Sequence, residues 1–282
     1  MVNIMKYKRS LIVQVSNQCP CYCPGCYNYF NKELVSTIDV VDFLKKYVKR
    51  YNISKITISG GDPLLRSDIE MLLTSLLKLN IVLNMDTVGD ALLNKFSDNQ
   101  IRILLTSVNL LGLPLDGINT ETIQIFRQGS SFENCIKVLE KASRFNANIC
   151  INTVVHSGNK KQILDMKKII DEIPKIVKWQ LFQYMPIGPR GYRNREKYFI
   201  TASEFEEIRE QVQCFKDKRE LEIQCKSLSE RKNNYIILGT DGKIWFPKQS
   251  SYLDWEKEDK NEERIIVGSI FEKEIFSKLD SI

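Results

Sequence analysis

Over its first 184 residues this chain alternates six short apolar, β-rich runs with amphipathic helical patterns. A chain satisfies that order by pairing its strands in parallel and returning through helical crossovers, so the alternation predicts an α/β fold. The predicted strands are 10–16, 55–59, 81–85, 109–115, 148–155 and 177–184. Between them, Ile38, Val41, Leu44 and Val48 mark one helix by their three- and four-residue spacing, and Ile69, Leu72, Leu73, Leu76 and Leu77 mark the next. Ser67 followed by Glu70 reads as a capping box on that second helix. A helix over 131–145 and another carrying Ile163, Met166, Ile169 and Ile170, stopped by Pro174, complete the series.

The pattern changes after Pro186. Residues 186–197 read as a loop rich in Gly, Pro and Arg, and a boundary near residue 200 divides the chain into a core of residues 1–200 and an extension of residues 201–282. In the extension, Ser203 and Glu206 suggest a capping box on a helix carrying Phe205, Ile208 and Val212, and 221–225 is strand-like. Runs 235–238 and 243–246 flank Gly239-Thr240-Asp241-Gly242, a sequence suited to a tight hairpin. The charged run 256–264 reads as a solvated loop.

Composition sets only broad limits. With 43% hydrophobic and 27% charged residues in 282, the chain can bury a sizeable core. Its net charge of +6 suits an anionic small molecule as well as nucleic acid. No segment approaches the roughly 20 apolar residues of a membrane span, and the run 11–15, interrupted by Gln14, is too short for a signal peptide, so no membrane association and a cytoplasmic location are expected. Of eight cysteines, Cys135, Cys150, Cys214 and Cys225 are scattered in or beside apolar segments and read as small core residues. The other four crowd into one loop.

That loop is Cys19-Pro20-Cys21-Tyr22-Cys23-Pro24-Gly25-Cys26. Cys19, Cys23 and Cys26, separated by three and then two residues, can converge as thiolates on one metal centre. A cubane [4Fe-4S] cluster held by three ligands keeps one iron free for a substrate or cofactor. The alternative is a structural zinc knot with Cys21 as fourth ligand. It lacks the two well-separated pairs usual for zinc, and the single histidine, His156, is far off in sequence.

A Cys-x3-Cys-x2-Cys loop after a first strand resembles the radical S-adenosylmethionine (SAM) enzymes. The resemblance extends to Gly60-Gly61-Asp62-Pro63, which ends the second strand and is similar to that family's Gly-Gly-Glu-Pro motif, with Asp62 in place of Glu. It implies that this turn recognises the SAM amino group. Weaker matches follow: Thr87-Val88-Gly89 after strand three, Asp116 with Arg127 after strand four, Asn152 and Thr153 on strand five, and Gln183 on strand six. By resemblance these line the SAM site. Gly25 departs from the pattern, since the family carries an aromatic residue before the last cysteine; Tyr22 or Tyr27 would have to compensate.

The family resemblance implies a partial (β/α)6 barrel of parallel strands, with a C-terminal α+β extension covering the barrel mouth. The cysteine loop, Gly60 to Pro63, Asp86, Asp116, Thr153 and Gln183 would then meet at one mouth. The implied cofactors are a [4Fe-4S] cluster and S-adenosyl-L-methionine, and the implied chemistry is reductive cleavage of SAM to a 5′-deoxyadenosyl radical that abstracts a substrate hydrogen. An external reductant, flavodoxin or ferredoxin, is implied with it. Segment 178–183, Phe199-Ile200 with Phe205, and Tyr235-Ile236-Ile237-Leu238 are similar in order and spacing to viperin-like enzymes, which act on nucleoside triphosphates. Arg190, Arg193, Arg195 and Lys197 are then candidates to bind a triphosphate. The alternatives are a peptide-modifying or protein-activating radical SAM enzyme, RNA modification, and a non-catalytic metal-binding module.

Overall fold

A computed structural model describes residues 10–215, 221–231, 235–248 and 264–282 of the chain. Strands β1 (Ser10–Gln14), β2 (Lys55–Ser59), β3 (Val82–Asp86), β4 (Leu110–Pro114), β5 (Ile149–Val155) and β6 (Ile176–Gln183) pair in parallel, each with the next. The helices that return the chain are α1 (Thr37–Tyr51), α2 (Ile69–Leu77), α3 (Ala91–Asn94), α4 (Asp98–Thr106), α5 (Thr120–Phe126), α6 (Phe132–Arg144) and α7 (Ile163–Glu172). The fold is α/β, with the parallel strands forming a partial barrel.

After β6 the 186–197 segment is more regular than its composition suggests. It forms two short helices, α8 (Gly188–Arg193) and α9 (Arg195–Tyr198), because Pro189 sits in the first turn of α8, where its missing N–H costs nothing. Helix α10 (Ala202–Gln213) then leads to β7 (Glu222–Lys226), which adds to β6 in parallel as a seventh strand. Strand β8 (Tyr235–Leu238) pairs in parallel with β1 at the opposite edge. The expected hairpin joins it to β9 (Lys243–Pro247), and β10 (Arg264–Ser269) lies outermost. The order β10-β9-β8-β1-β2-β3-β4-β5-β6-β7 therefore lets the residues after 200 extend both edges of one sheet. Helix α11 (Ile275–Asp280) packs back on α1, with Phe276 5.5 Å from Phe43 between ring centroids and Asp280 accepting from Tyr51 Oη at 2.8 Å. Of the charged run, residues 256–263 lie outside the described residues, and Arg264 opens β10.

Helix starts follow local capping, though not always at the expected residue. Ser36 Oγ accepts the Asp39 N–H at 3.2 Å to open α1, and Asn52 (φ +50°) closes it. The box expected at Ser67 and Glu70 does not form: Asp68 occupies the N-cap, its carboxylate accepts from Arg66 and Thr37, and Glu70 accepts from Gln100 on α4. The box on α10 is Thr201 with Glu204, two residues before the expected pair, because the helix begins at Ala202.

Alternation along each strand separates two faces. Leu11, Val13, Ile56, Ile58, Leu83, Met85, Leu111, Leu113, Ile149, Ile151, Trp179 and Leu181 are buried in one core with the apolar stripes of α1, α2, α4, α6 and α7. The alternate positions, among them Gln14, Ser59, Asp86, Asn152, Gln180 and Lys226, fall on the concave face and are largely polar. Among the described residues no helix is long and apolar enough to cross a membrane.

Candidate active site

Because the strands run parallel, the segments following them emerge on one rim. The cysteine loop follows β1, and three neighbours clamp it. The Gly60-Gly61-Asp62 turn donates from Gly61 N to Ser16 O (2.6 Å) and from Asp62 N to Gln18 O (2.6 Å). A Cβ on Gly60, which has φ +148°, would stand 2.6 Å from Ser16 O, and one on Gly61 would collide with Gln18 O. The glycines thus admit the backbone of the cysteine loop itself. Tyr22 N donates to Gln128 O (2.8 Å), and Gly191 N of α8 donates to Cys26 O (3.2 Å).

All four cysteines of the loop are free thiols, with Cys21 and Cys23 buried. Burial is the main cause raising Cys23, and it pushes Cys26 up to about 12, where the neighbouring Cys23 adds to the effect and the Asn28 N–H (3.4 Å to Sγ) opposes it. Cys19 is lowered, chiefly by a hydrogen bond from Cys21, whose own thiol is raised by that bond and by burial. The Arg127 guanidinium lies 3.8 Å from Cys23 Sγ. Of the three expected ligands, Cys23 and Cys26 resist ionisation chiefly because of burial and Cys19 does not, a donor set that fits a cationic iron–sulfur centre, whose charge favours the thiolates. Among the described residues no three His, Cys, Asp or Glu side chains close round a single ion. Thiolates on separate irons of a cubane stand further apart than ligands of one zinc. His156 lies elsewhere, stacked on Phe126 at 5.0 Å, with Nδ1 accepting from Gly158 N (3.0 Å).

The expected SAM-site residues divide by what already engages them. Asp62 is fully buried; it accepts from Leu64 N (3.0 Å), Thr87 Oγ1 (2.5 Å) and Val88 N (3.1 Å), and so ties the turn after β2 to the one after β3. Pro63 begins the 3-10 turn that Asp62 caps. Asp116 Oδ2 accepts from Arg127 Nε (3.0 Å) and Nη2 (2.8 Å), and its Oδ1 accepts from Val154 N (2.9 Å), so this pair stands beside Cys23 and is anchored to β5. Asn152 faces the concave side and donates to Asp86 Oδ1 (2.9 Å), above Gly112, where a Cβ would collide with that oxygen. Thr153 faces the helices: its hydroxyl donates to Leu115 O (2.7 Å) and accepts from Trp179 Nε1 (3.0 Å). Gln183 donates to Ile200 O (3.0 Å) and accepts from Leu228 N (2.9 Å), pinning two connecting segments to the end of β6. At Gly25 a Cβ would collide with the Phe126 ring, so an aromatic side chain from α5 occupies the space beside the last cysteine. Tyr27 instead bonds Ser59 Oγ (3.0 Å), and Tyr22 is 52% exposed under Arg190.

The basic residues after β6 do not act together. Arg190 lies over the rings of Tyr22 (4.0 Å) and Phe30 (4.5 Å), and Arg195 folds over Tyr192 (4.4 Å), whereas Arg193 and Lys197 are exposed. A different polar set lines the concave wall: Asp86, Asn152, Lys178, Gln180, Lys226 and, beyond β7, Arg231. Lys226 Nζ donates to Gln180 Oε1 (3.1 Å) and lies 5.0 Å from the Phe182 ring. Strand alternation from Asn152 would have found 178, 180 and 182; Lys226 and Arg231 needed the pairing of β7 with β6.

Burial raises the Asp86 carboxyl to about 6, against the Asn152 bond and the Lys226 charge, which lower it. The folded chain therefore holds this proton more tightly than the unfolded chain. The stability it contributes is complete below about pH 4 and is lost as pH rises through about 6. Asp86→Asn removes that dependence, so between about pH 5 and about pH 8 the wild type should lose roughly 1 kcal/mol more than the variant in urea unfolding. Parallel losses in both proteins would contradict the assignment.

The family model described as "Radical SAM superfamily" matches residues 13–170. The chain is 27% identical over 179 residues to a protein named GTP 3',8-cyclase from Listeria welshimeri, covering 62% of this chain and 52% of that one. It is 30% identical over 163 residues to a GTP 3',8-cyclase from Helicobacter pylori, covering 55% and 49%. The chain thus spans about half the length of these curated relatives. The crystal structure of Streptococcus suis SuiB bound to S-adenosylmethionine superposes with a TM-score of 0.71 at 15% identity, over 96% of this chain and 65% of that one, a likeness of fold. Since the matched stretch runs from β1 through α7 and holds both the cysteine loop and the glycine turn that clamps it, the chain belongs to the radical SAM superfamily, whose cofactors are a [4Fe-4S] cluster and S-adenosyl-L-methionine.

Proposed function

We propose that this radical SAM enzyme acts on a nucleoside triphosphate held against the concave wall of β6, β7 and β8. The observation that carries the reading is a pairing of cations with aromatic rings on that wall. The Arg231 guanidinium lies 5.1 Å from the Phe182 ring and 5.5 Å from the Tyr235 ring, and donates to Gln183 O (3.0 Å). Lys226 shares Phe182 with it. Burial lowers the Lys226 ammonium, and a phosphate is the kind of ligand that restores its lost stabilisation. Phosphates suit the two cations, a base suits the rings, and the Asp86–Asn152 pair offers hydrogen bonds to a ribose or base edge. The relatives named GTP 3',8-cyclase support a nucleotide substrate. They are cyclases by name and not viperin-like dehydratases, so the reading rests on the nucleoside triphosphate common to both.

When bound, the cluster and SAM supply a 5′-deoxyadenosyl radical able to abstract a hydrogen atom. The chain's part is to orient and enclose. Cys19, Cys23 and Cys26 hold the cluster, Arg127 sets its charge environment, and Lys226 and Arg231 fix the triphosphate so that one carbon is presented. Residues 221–231 cover that side of the mouth, with Leu228 N tied to Gln183.

Incubating the anaerobically reconstituted protein with SAM, dithionite and each deuterated nucleoside triphosphate in turn should move deuterium into 5′-deoxyadenosine for one of them. Lys226→Ala should raise the KM for that nucleotide on the order of tenfold, with little change in uncoupled SAM cleavage. Transfer from none of the nucleotides would end the proposal.

A further inference from the structure

Asp86 ends β3 one residue before Thr87, whose hydroxyl donates to Asp62 of the turn that clamps the cysteine loop. Its carboxyl therefore stands on the concave face directly beneath the rim. Gly112 of β4 pairs with Asp86, and a Cβ on that glycine would collide with Asp86 Oδ1 and stand 2.6 Å from Asn152 Nδ2. Only because this side chain is missing do Asp86 and Asn152 meet across β4. A carboxylate can only accept, so the Asn152 amide turns its nitrogen to Oδ1 (2.9 Å) and its oxygen to the Cys150 thiol (3.5 Å from Sγ). Among the described residues no donor reaches Asp86 Oδ2. The same wall links this carboxyl to the cations. Lys226 Nζ donates to Gln180 Oε1, and Gln180 pairs with Asn152 in the register of β6 on β5. Burial raises the Asp86 carboxyl, whereas the Asn152 bond and the Lys226 charge, which reaches it along this wall, lower it.

We infer, resting on the nucleoside triphosphate reading above, that Asp86 Oδ2 receives a ribose hydroxyl of the nucleotide and so makes the enzyme select ribonucleotides over deoxyribonucleotides. With the phosphates on Lys226 and Arg231, the sugar is the next part of the ligand along the wall and comes within reach of Asp86. An unengaged carboxylate oxygen matches a hydroxyl, since O–H···O⁻ bonds are short and about twice as strong as neutral ones. The same charge repels the phosphates, which keeps the triphosphate at the cation end of the wall. The height of Asp86 beneath the rim then presents the carbon bearing that hydroxyl to the hydrogen-abstracting radical. A site built to bond a hydroxyl rejects the analogue that lacks it, because the sunken acceptor is left unpaired.

Equilibrium dialysis of the reconstituted holoenzyme without SAM tests this, with the four ribonucleoside triphosphates and their 2′-deoxy and 3′-deoxy forms as probes. Wild type should bind its preferred ribonucleotide on the order of tenfold to hundredfold more tightly than the form lacking the contacted hydroxyl. In Asp86→Asn the new amide turns its oxygen to Asn152 Nδ2 and its NH2 to the lumen, so the preference should shrink to within about threefold. Gly112→Ala displaces the same carboxylate and keeps its charge, and should shrink the preference as well. An Asp86→Asn protein that keeps the wild-type preference, or that loses discrimination among bases in its place, would overturn the contact. Equal binding of ribo and deoxy forms by wild type would do the same and leave the nucleotide reading intact. Binding of none of the probes by wild type would overturn both.

Discussion

Anaerobically reconstituted Cys23→Ala protein is expected to lack the broad iron–sulfur absorbance and to make no 5′-deoxyadenosine from SAM and dithionite. Cys21→Ala is expected to keep both within a few-fold. The difference follows from placement. Cys23 lies under the Arg127 guanidinium, next to Cys26 and with its thiolate raised by burial until a cationic centre compensates it. Cys21 hydrogen-bonds to Cys19, which lowers Cys19 and holds it as a sulfur acceptor, a supporting role that alanine weakens without emptying a ligand position. Iron, sulfide and zinc analysis of the two variants beside wild type checks this. Normal turnover by Cys23→Ala, or stoichiometric zinc without sulfide in the wild type, would refute the ligand assignment and revive the zinc knot.

Asp116→Ala should cost about 3–5 kcal/mol of unfolding free energy, since removing one member of a buried ion pair strands the other. Asp116 is 1% exposed and takes two bonds from Arg127 and one from the Val154 N–H. Its loss leaves the guanidinium with only the weak acceptor Cys23 Sγ and takes an acceptor from a β5 backbone donor, next to the cysteine loop. Asp116→Asn keeps one acceptor and should lose less. Urea unfolding of the three proteins, with iron content measured beside it, separates stability from cluster loading. A cost below about 1 kcal/mol for the alanine variant would mean that Arg127 finds another partner.

The position of the glycine turn explains how two motifs 40 residues apart act together. Gly60 and Gly61 are close enough to the cysteine loop that any side chain would push it away, and Asp62, already engaged by three donors, fastens the next loop in line. The Asp in place of the family's Glu thus holds the rim together.

The alternation of apolar runs and helical stripes determined by itself that the strands would be parallel and their loops would share one rim, because a period of two and a period near 3.6 bury different faces. The cysteine spacing was equally local: three thiols within eight residues can meet without help from the rest of the chain. Side-chain direction was not local in that sense. Asn152 and Thr153 are neighbours in sequence, yet one bonds Asp86 on the concave face and the other bonds Leu115 and Trp179 on the helix side, and only the register of β5 against β4 and β6 settles which is which. The same holds for Lys226 and Arg231, which come beside Phe182 because β7 pairs with β6, and for β8, which crosses to the far edge beside β1. Pairings between distant segments are set by which edges remain open once the core has closed, a property of the assembled sheet that no single stretch of residues contains.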